Sequence, residues 1–127
     1  MIDRFPIGTA ATHEWPVTQK LTVQAHGTVD APVLATPQLI FMLEDACVLA
    51  LNPLLTENEI TVGTSVHVDH LASAKVGQSV KVTAELVSVR GRRFVFRVEG
   101  RCGKTVIGRG LHERAMVDKK EFLAANS

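Results

Sequence analysis

Three side chains in this sequence have the types and positions that proton transfer and attack on a carbonyl group require. Glu44 interrupts an apolar run, and a carboxylate in apolar surroundings is poorly solvated and therefore more basic, which suits a base or a nucleophile. Thr36 precedes Pro37 where a helix would begin, beside free backbone N–H groups that suit an oxyanion. His70 ends an alternating segment, where an imidazole can orient a carboxylate or carry protons.

Each of these residues also has a purely structural interpretation. Glu44 can be a helix carboxylate at a cavity or subunit boundary that pairs with Arg114 or a lysine, and His70 can be a satisfied core residue. Thr36 is a natural N-cap, and this role alone can explain it. On one straight helix Thr36 and Glu44 lie about 12 Å apart. They can then act together only if Thr36 folds back from the loop, or if Glu44 acts through water or from a different chain.

The remaining histidines are weaker candidates. His67 and His70 are three residues apart, so on a strand their rings point to opposite faces, and we expect no metal pair there. No CxxC or HExxH motif occurs, and we predict no metal site. His112 shares a face with Arg114 and is a secondary candidate, because pairing across the sheet explains it equally well.

A single helix is the strongest secondary-structure signal. Thr36 and Pro37 predict its start, and Asn52 followed by Pro53 predicts its end. The run between them is apolar nearly all round, so other structure must wrap it. Four long strands with a period of two follow, in residues 60–71, 79–90, 93–101 and 105–118. Turns at 90–92 and 102–104 predict antiparallel pairing.

The strands also predict which side chains face the helix. In the first, Val62, Thr64, Val66, Val68 and His70 share one phase and the more polar residues take the other. The other three inward sets are Val80, Val82, Ala84 and Leu86, then Phe94, Phe96 and Val98, then Val106, Gly108, Gly110, His112, Arg114 and Met116. We expect an irregular lead-in over 1–17, a first short strand at 18–24 and fraying over residues 119–127.

Composition indicates one ordinary globular domain over residues 1–127. Hydrophobic residues make up 46% and charged residues 21%, and the net charge of +1 excludes a globally basic nucleic-acid binder. The longest stretch without an acidic or basic residue, Ala31–Leu43, is too short to span a bilayer. The start has no apolar core behind a basic head, so we expect a cytoplasmic protein whose Cys47 and Cys102 are buried free thiols.

The order of elements resembles the hotdog fold, an α+β architecture in which an antiparallel sheet wraps one central helix. Three ordered motifs over residues 33–123 resemble those of the fluoroacetyl-CoA thioesterase group of hotdog acyl-CoA thioesterases. They are Thr36 eight residues before the Glu in Glu44-Asp45-Ala46-Cys47-Val48, Gly63-Thr64 seven residues before His70, and Gly110-Leu111-His112-Glu113-Arg114-Ala115. This resemblance implies that Thr36, Glu44 and His70 are catalytic and that Gly63 and Arg114 bind substrate.

One departure concerns the acyl group. The group's pattern has two lid phenylalanines, nine and six residues before its threonine, whereas this chain has Gly27 and Asp30. We therefore expect only a weak preference for fluoroacetyl-CoA.

The resemblance implies a homodimer that hydrolyses a small acyl-CoA without a metal or bound cofactor. A noncatalytic acyl-CoA-binding module is the first alternative, and a hotdog hydratase or dehydratase is the second. The arginine-rich stretch 90–109 is a solvated hairpin face, a site for the phosphates of coenzyme A or, last in order, a nucleic-acid surface.

Overall fold

The computed structural model describes residues 3–127, which form five β-strands and two α-helices. In chain order these elements are β1 (Ala10–Pro16), α1 (Thr36–Leu51), β2 (Glu59–His70), β3 (Ser79–Arg90), β4 (Arg93–Cys102), β5 (Thr105–Asp118) and α2 (Lys119–Ala125). Single 3₁₀ turns occur at Gln19–Leu21 and Asn52–Leu54.

The strands form one antiparallel sheet in the order β1-β3-β4-β5-β2. Helix α1 packs across this sheet and contacts β1, β2, β3 and β4. The predicted hotdog fold, a sheet around one central helix, is therefore confirmed. Strand β2 is the last strand in this order, so its outer backbone edge is unpaired within the described residues.

The predicted helix is confirmed from Thr36 to Leu51, but its cap is not the one expected. Ala35 is the N-cap residue, and Thr36 is the first helical residue. The hydroxyl of Thr36 therefore does not cap the helix and is available to another partner. One side of α1 is buried in the core through Leu39, Met42, Leu43, Ala46, Cys47, Ala50 and Leu51.

The inward faces of β3 and β4 are as predicted. Their seven apolar residues are at most 1% exposed and pack against α1: Val80, Val82, Ala84, Leu86, Phe94, Phe96 and Val98. At the start of β5 the prediction is wrong, because Ile107 is fully buried and Val106 only partly. A register shift between Gly100 and Arg101 in the β4–β5 pair accounts for the change of phase.

The first strand was predicted in the wrong place. Residues 10–16 form β1, and Pro16 is tolerated because it is the last residue of an edge strand. Residues 18–24 instead form a 3₁₀ turn and a following loop. The Thr22 hydroxyl donates to the carbonyl of Gln19 and accepts from the N–H of Ala25, so local hydrogen bonds replace a strand ladder.

Neither the chain end nor the cysteines behave wholly as expected. Residues 119–125 form α2 rather than fraying, because the Asp118 side chain caps the helix by accepting from the Glu121 N–H. Both cysteines are free as predicted, but only Cys47 is buried, and Cys102 is half-buried. Among the helices of residues 3–127, none is long and apolar enough to span a membrane.

Candidate functional site

The start of α1 and the end of β2 bring two of the candidate residues together. Thr36 Oγ1 lies 2.7 Å from His70 Nδ1, a hydrogen-bond distance, although 34 positions separate the two residues. The other ring nitrogen, His70 Nε2, is buried and has no hydrogen-bond partner among residues 3–127. A buried polar atom without a partner is unusual, and it leaves this nitrogen able to bond a water or a ligand.

Glu44 lies two turns further along α1 and contacts a different pair of residues. Its Oε2 is 3.7 Å from Arg114 Nη1 and 3.8 Å from His112 Nε2, and its side chain is 36% exposed. These distances are too long for hydrogen bonds but short enough for a strong electrostatic interaction. The expectation of apolar surroundings is therefore wrong, because the carboxylate lies beside a guanidinium and keeps access to solvent.

Arg114 on β5 is the buried cation of the site. It is 6% exposed and donates from Nε to Thr61 Oγ1 and from Nη2 to the Thr61 carbonyl, both at 2.9 Å. Its third guanidinium nitrogen, Nη1, lies 3.0 Å from His112 Nε2. Burial lowers the pKa of Arg114 from its usual value, and the carboxylate of Glu44 partly opposes this shift. A guanidinium nevertheless remains charged in proteins.

His112 is a buried neutral imidazole. It is 1% exposed, and its Nδ1 lies 2.9 Å from the Ser65 carbonyl oxygen. Burial lowers the pKa of His112, while the Ser65 carbonyl and the charge of Glu44 partly oppose this shift. The lowered pKa favours the neutral form of this imidazole.

A β-bulge in β2 brings Gly63 and Thr61 to this cluster. Strict alternation predicts that both face away from His70, and that prediction is wrong. The register shift between Gly63 and Ser65 in the β2–β5 pair adds one residue to β2. Thr61 and Gly63, before the bulge, therefore face the same side of the sheet as His70, beyond it. A Cβ atom on Gly63 would lie 3.1 Å from His112 Cε1 and 3.2 Å from Glu44 Oε2. Only glycine leaves this space to the cluster.

The five predicted site residues thus form two groups rather than one. Thr36 and His70 make the first group, and Glu44, Gly63 and Arg114 make the second together with Thr61 and His112. No hydrogen bond joins the groups within residues 3–127, as expected from about 12 Å of helix between Thr36 and Glu44.

Two residues of the second group were not singled out as site residues from the sequence. Strict alternation predicts that Thr61 lies on the outer face, because a regular alternating pattern gives no sign of a bulge. His112 was only a secondary candidate, although its position two residues before Arg114 on one strand face indicated a shared environment.

The arginine-rich stretch forms an exposed face with local ion pairs. Arg97 pairs with Glu85 at 3.1 Å, and Arg101 pairs with Glu99 at 2.6 Å. Phe94 and Phe96 are fully buried, so neither can stack on a base. These contacts favour the solvated hairpin face.

The two positions that carry lid phenylalanines in the related group lie in a polar turn here. Gly27 has a φ of +78°, where a side chain is strained, and Asp30 accepts a hydrogen bond from Gln24. Neither residue provides an apolar surface over the start of α1.

Comparison with known proteins identifies the family of this chain. The family model for FlK, the fluoroacetyl-CoA-specific thioesterase, matches residues 17–120. The fluoroacetyl-CoA thioesterase of Streptantibioticus cattleyicolor is 38% identical over 131 residues, which cover 98% of this chain and 94% of that protein.

Solved structures agree with this result. A threonine-to-serine variant of FlK in complex with acetyl-CoA has a TM-score of 0.89 and 35% identity, covering 95% of this chain and 96% of that one. A thioesterase superfamily member from Thermus thermophilus has a TM-score of 0.89 and 34% identity, covering 96% and 90%. The chain belongs to the fluoroacetyl-CoA-specific thioesterase family.

Proposed function

We propose that this protein hydrolyses short acyl-CoA thioesters to the free acid and CoA. In this proposal Glu44, Thr36 and His70 act on the reacting atoms, and Gly63 and Arg114 contact the substrate. Family membership supports the reaction, and the acetyl-CoA complex of a relative supports a small acyl group.

The observation that carries the proposal is the position of Glu44 beside the buried Arg114. A buried cation 3.7 Å from Glu44 Oε2 attracts that carboxylate and so restrains its position for attack or proton transfer. The same cation can stabilise the negative oxygen that develops when a thioester carbonyl becomes tetrahedral. A surface ion pair would do neither, because solvent would screen it.

The reaction then balances in one of two ways. As a base, Glu44 takes a proton from water while the water oxygen attacks the thioester carbonyl, the C–S bond breaks, and the CoA sulfur receives the proton. As a nucleophile, Glu44 first displaces CoA to form a mixed anhydride, which water hydrolyses. Label found in Glu44 after a single turnover in ¹⁸O-labelled water would identify the second route, because water that attacks the Glu44 carbonyl of the anhydride leaves its oxygen in that carboxylate.

Thr36 and His70 would stabilise the oxyanion or guide the leaving group. If His70 Nδ1 donates to Thr36 Oγ1, the threonine keeps its own hydrogen for a bond to substrate. The buried and unpartnered His70 Nε2 is then free to accept a proton or a hydrogen bond.

A homodimer would bring the two groups into one site. The unpaired edge of β2 can form backbone hydrogen bonds with the same strand of a second copy. A second copy would also cover apolar surface of α1, where Phe41 and Leu49 are 56% and 40% exposed. Antiparallel pairing of two β2 strands about the peptide between Val66 and His67 would place His70 of one copy opposite Gly63 of the other. Glu44 from one copy and the Thr36–His70 pair from the other would then face the same thioester.

The experiment is a thiol-release assay with acetyl-, fluoroacetyl-, butyryl- and octanoyl-CoA. We expect turnover of the short thioesters, with only a weak advantage for fluoroacetyl-CoA because Gly27 and Asp30 provide no aromatic lid. Hydrolysis of none of them would overturn the proposal. Binding without product, measured by calorimetry, would favour a noncatalytic module, and hydration of crotonyl-CoA would favour a hydratase.

The cytoplasmic location of the protein stays a prediction.

A further inference from the structure

His112 has two hydrogen-bond partners that together assign its tautomer. A backbone carbonyl can only accept, so the contact of 2.9 Å with Ser65 requires a hydrogen on Nδ1. A guanidinium can only donate, so the contact of 3.0 Å with Arg114 requires a lone pair on Nε2. With both nitrogens engaged and 1% of its surface exposed, the ring has one orientation and one protonation state.

All three groups that hold the Arg114 guanidinium are neutral acceptors. They are the Thr61 hydroxyl, the Thr61 carbonyl and the His112 imidazole. These groups satisfy the N–H donors without cancelling the charge. Among residues 3–127, Glu44 is the one carboxylate within 4.0 Å of Arg114, and its side chain is 36% exposed whereas that of Arg114 is 7% exposed.

We propose that His112 is a positioning residue, whose Nε2 lone pair holds Arg114 Nη1 so that the guanidinium charge is directed at Glu44 and the bound thioester. This inference rests on the proposed function. An acidic residue at position 112 would also accept from Arg114, but it would neutralise the cation that the site needs. An apolar residue would leave Nη1 without its partner and the guanidinium free to turn.

The β2 bulge is part of the same arrangement. Ser65 follows the bulge and supplies the carbonyl that orients His112. Gly63 precedes the bulge and leaves room for the ring, because a Cβ atom there would lie 3.1 Å from His112 Cε1. One irregularity in β2 thus orients the ring and makes space for it.

The kinetic test compares two substitutions of His112 in the full-length protein. His112→Leu removes both ring nitrogens at similar volume, whereas His112→Gln keeps an amide that can donate and accept. With acetyl-CoA we expect kcat to fall by about a hundredfold in the leucine variant with a small change in KM, because a misdirected charge affects the transition state. The glutamine variant should recover most of this loss. His13→Leu, which changes an exposed histidine of β1 at the other edge of the sheet, is the matched control and should keep full activity.

A spectroscopic test does not depend on activity or on a substitution. Long-range ¹H–¹⁵N NMR of the wild-type protein should show His112 neutral, protonated on Nδ1 and not on Nε2. A proton on Nε2, or unchanged kcat in a folded His112→Leu protein, would overturn the inference. If the wild-type protein hydrolyses no thioester, the proposed function fails, whereas the tautomer is decided by the NMR spectrum alone.

Discussion

Thr36 and His70 are joined by a hydrogen bond of 2.7 Å between the first residue of α1 and the last residue of β2. Because Ala35 occupies the N-cap, this hydroxyl makes no capping bond, and its one side-chain hydrogen bond is to a histidine. The contact therefore serves the site more than the stability of the helix.

Replacing Thr36 should separate activity from stability. We expect Thr36→Ala to lower kcat for acetyl-CoA by about a hundredfold, as the loss of one oxyanion donor does. Thr36→Ser should keep most of the activity because it keeps the hydroxyl. The free energy of unfolding should change by less than about 0.5 kcal/mol, since no cap is lost. A large loss of stability in urea denaturation would show that the threonine is structural.

Replacing Glu44 should remove the chemistry itself. Glu44→Gln keeps the size of the side chain but not its charge, and we expect thiol release to fall by about 10³-fold. Asp45→Asn is the matched control, because it removes a half-buried carboxylate from the next position of the same helix. Full activity in the Glu44→Gln protein, or an equal loss in the control, would contradict this role.

Mixing two inactive variants should restore activity if each site spans two copies. A dimer of Thr36→Ala and Glu44→Gln chains has one site with both changes and one unchanged site. Random exchange should therefore recover about a quarter of wild-type turnover, since half of the dimers are mixed and each has one active site. If both groups act within one protomer, no mixture will exceed its separate components.

A single methyl group at Gly63 should disturb the cluster. A Cβ there would lie 3.2 Å from Glu44 Oε2 and 3.1 Å from the buried His112 ring, so in Gly63→Ala the more flexible glutamate should move. We expect kcat to fall by about tenfold or more from this displacement. Ser65→Ala, just beyond the bulge, is the control. It keeps the backbone carbonyl that contacts His112 and should keep the wild-type kcat. Unchanged kinetics in Gly63→Ala would contradict the packing of the cluster.

Acid should weaken the attachment of the N-terminal segment to β2. Hydrogen bonds from the Arg4 guanidinium and then from the Thr56 N–H lower the pKa of Glu59 from 4.5 to about 2. A carboxyl whose pKa is depressed on folding stabilises the folded state above its ordinary pKa, and this contribution is lost as the pH falls from about 4.5 to about 2.

Thermal unfolding at several pH values checks this expectation. Glu59→Gln should lower Tm at pH 7 and show a smaller decrease than wild type between pH 5 and pH 3. Parallel Tm curves for the two proteins would mean that this ion pair contributes nothing.

How much of the molecule the sequence predicts depends on whether a feature is local. Helix α1 and strands β2 to β5 follow from long periodic runs and from turn glycines such as Gly91 and Gly103, both with a φ of +60°. β1 was missed because it is a short edge strand ending in a proline. Its formation depends on pairing with β3, 63 to 75 positions away, rather than on its own pattern.

The site shows the same limit. Thr36, Glu44 and Arg114 were identified by ordered motifs, and the structure places each of them beside another candidate. The roles of Thr61 and His112 depend on cross-strand register and on one extra residue in β2. Register is a property of two strands together, so periodicity within one strand could not reveal it.

The burial of Cys47 has a consequence for a reaction that releases a thiol at every turnover. This cysteine lies one helical turn after Glu44, and burial raises the pKa of its thiol to about 12. Because only the thiolate exchanges with disulfides, almost none of the reactive form exists at neutral pH. Oxidised CoA that accumulates around the protein should therefore form no mixed disulfide at this position.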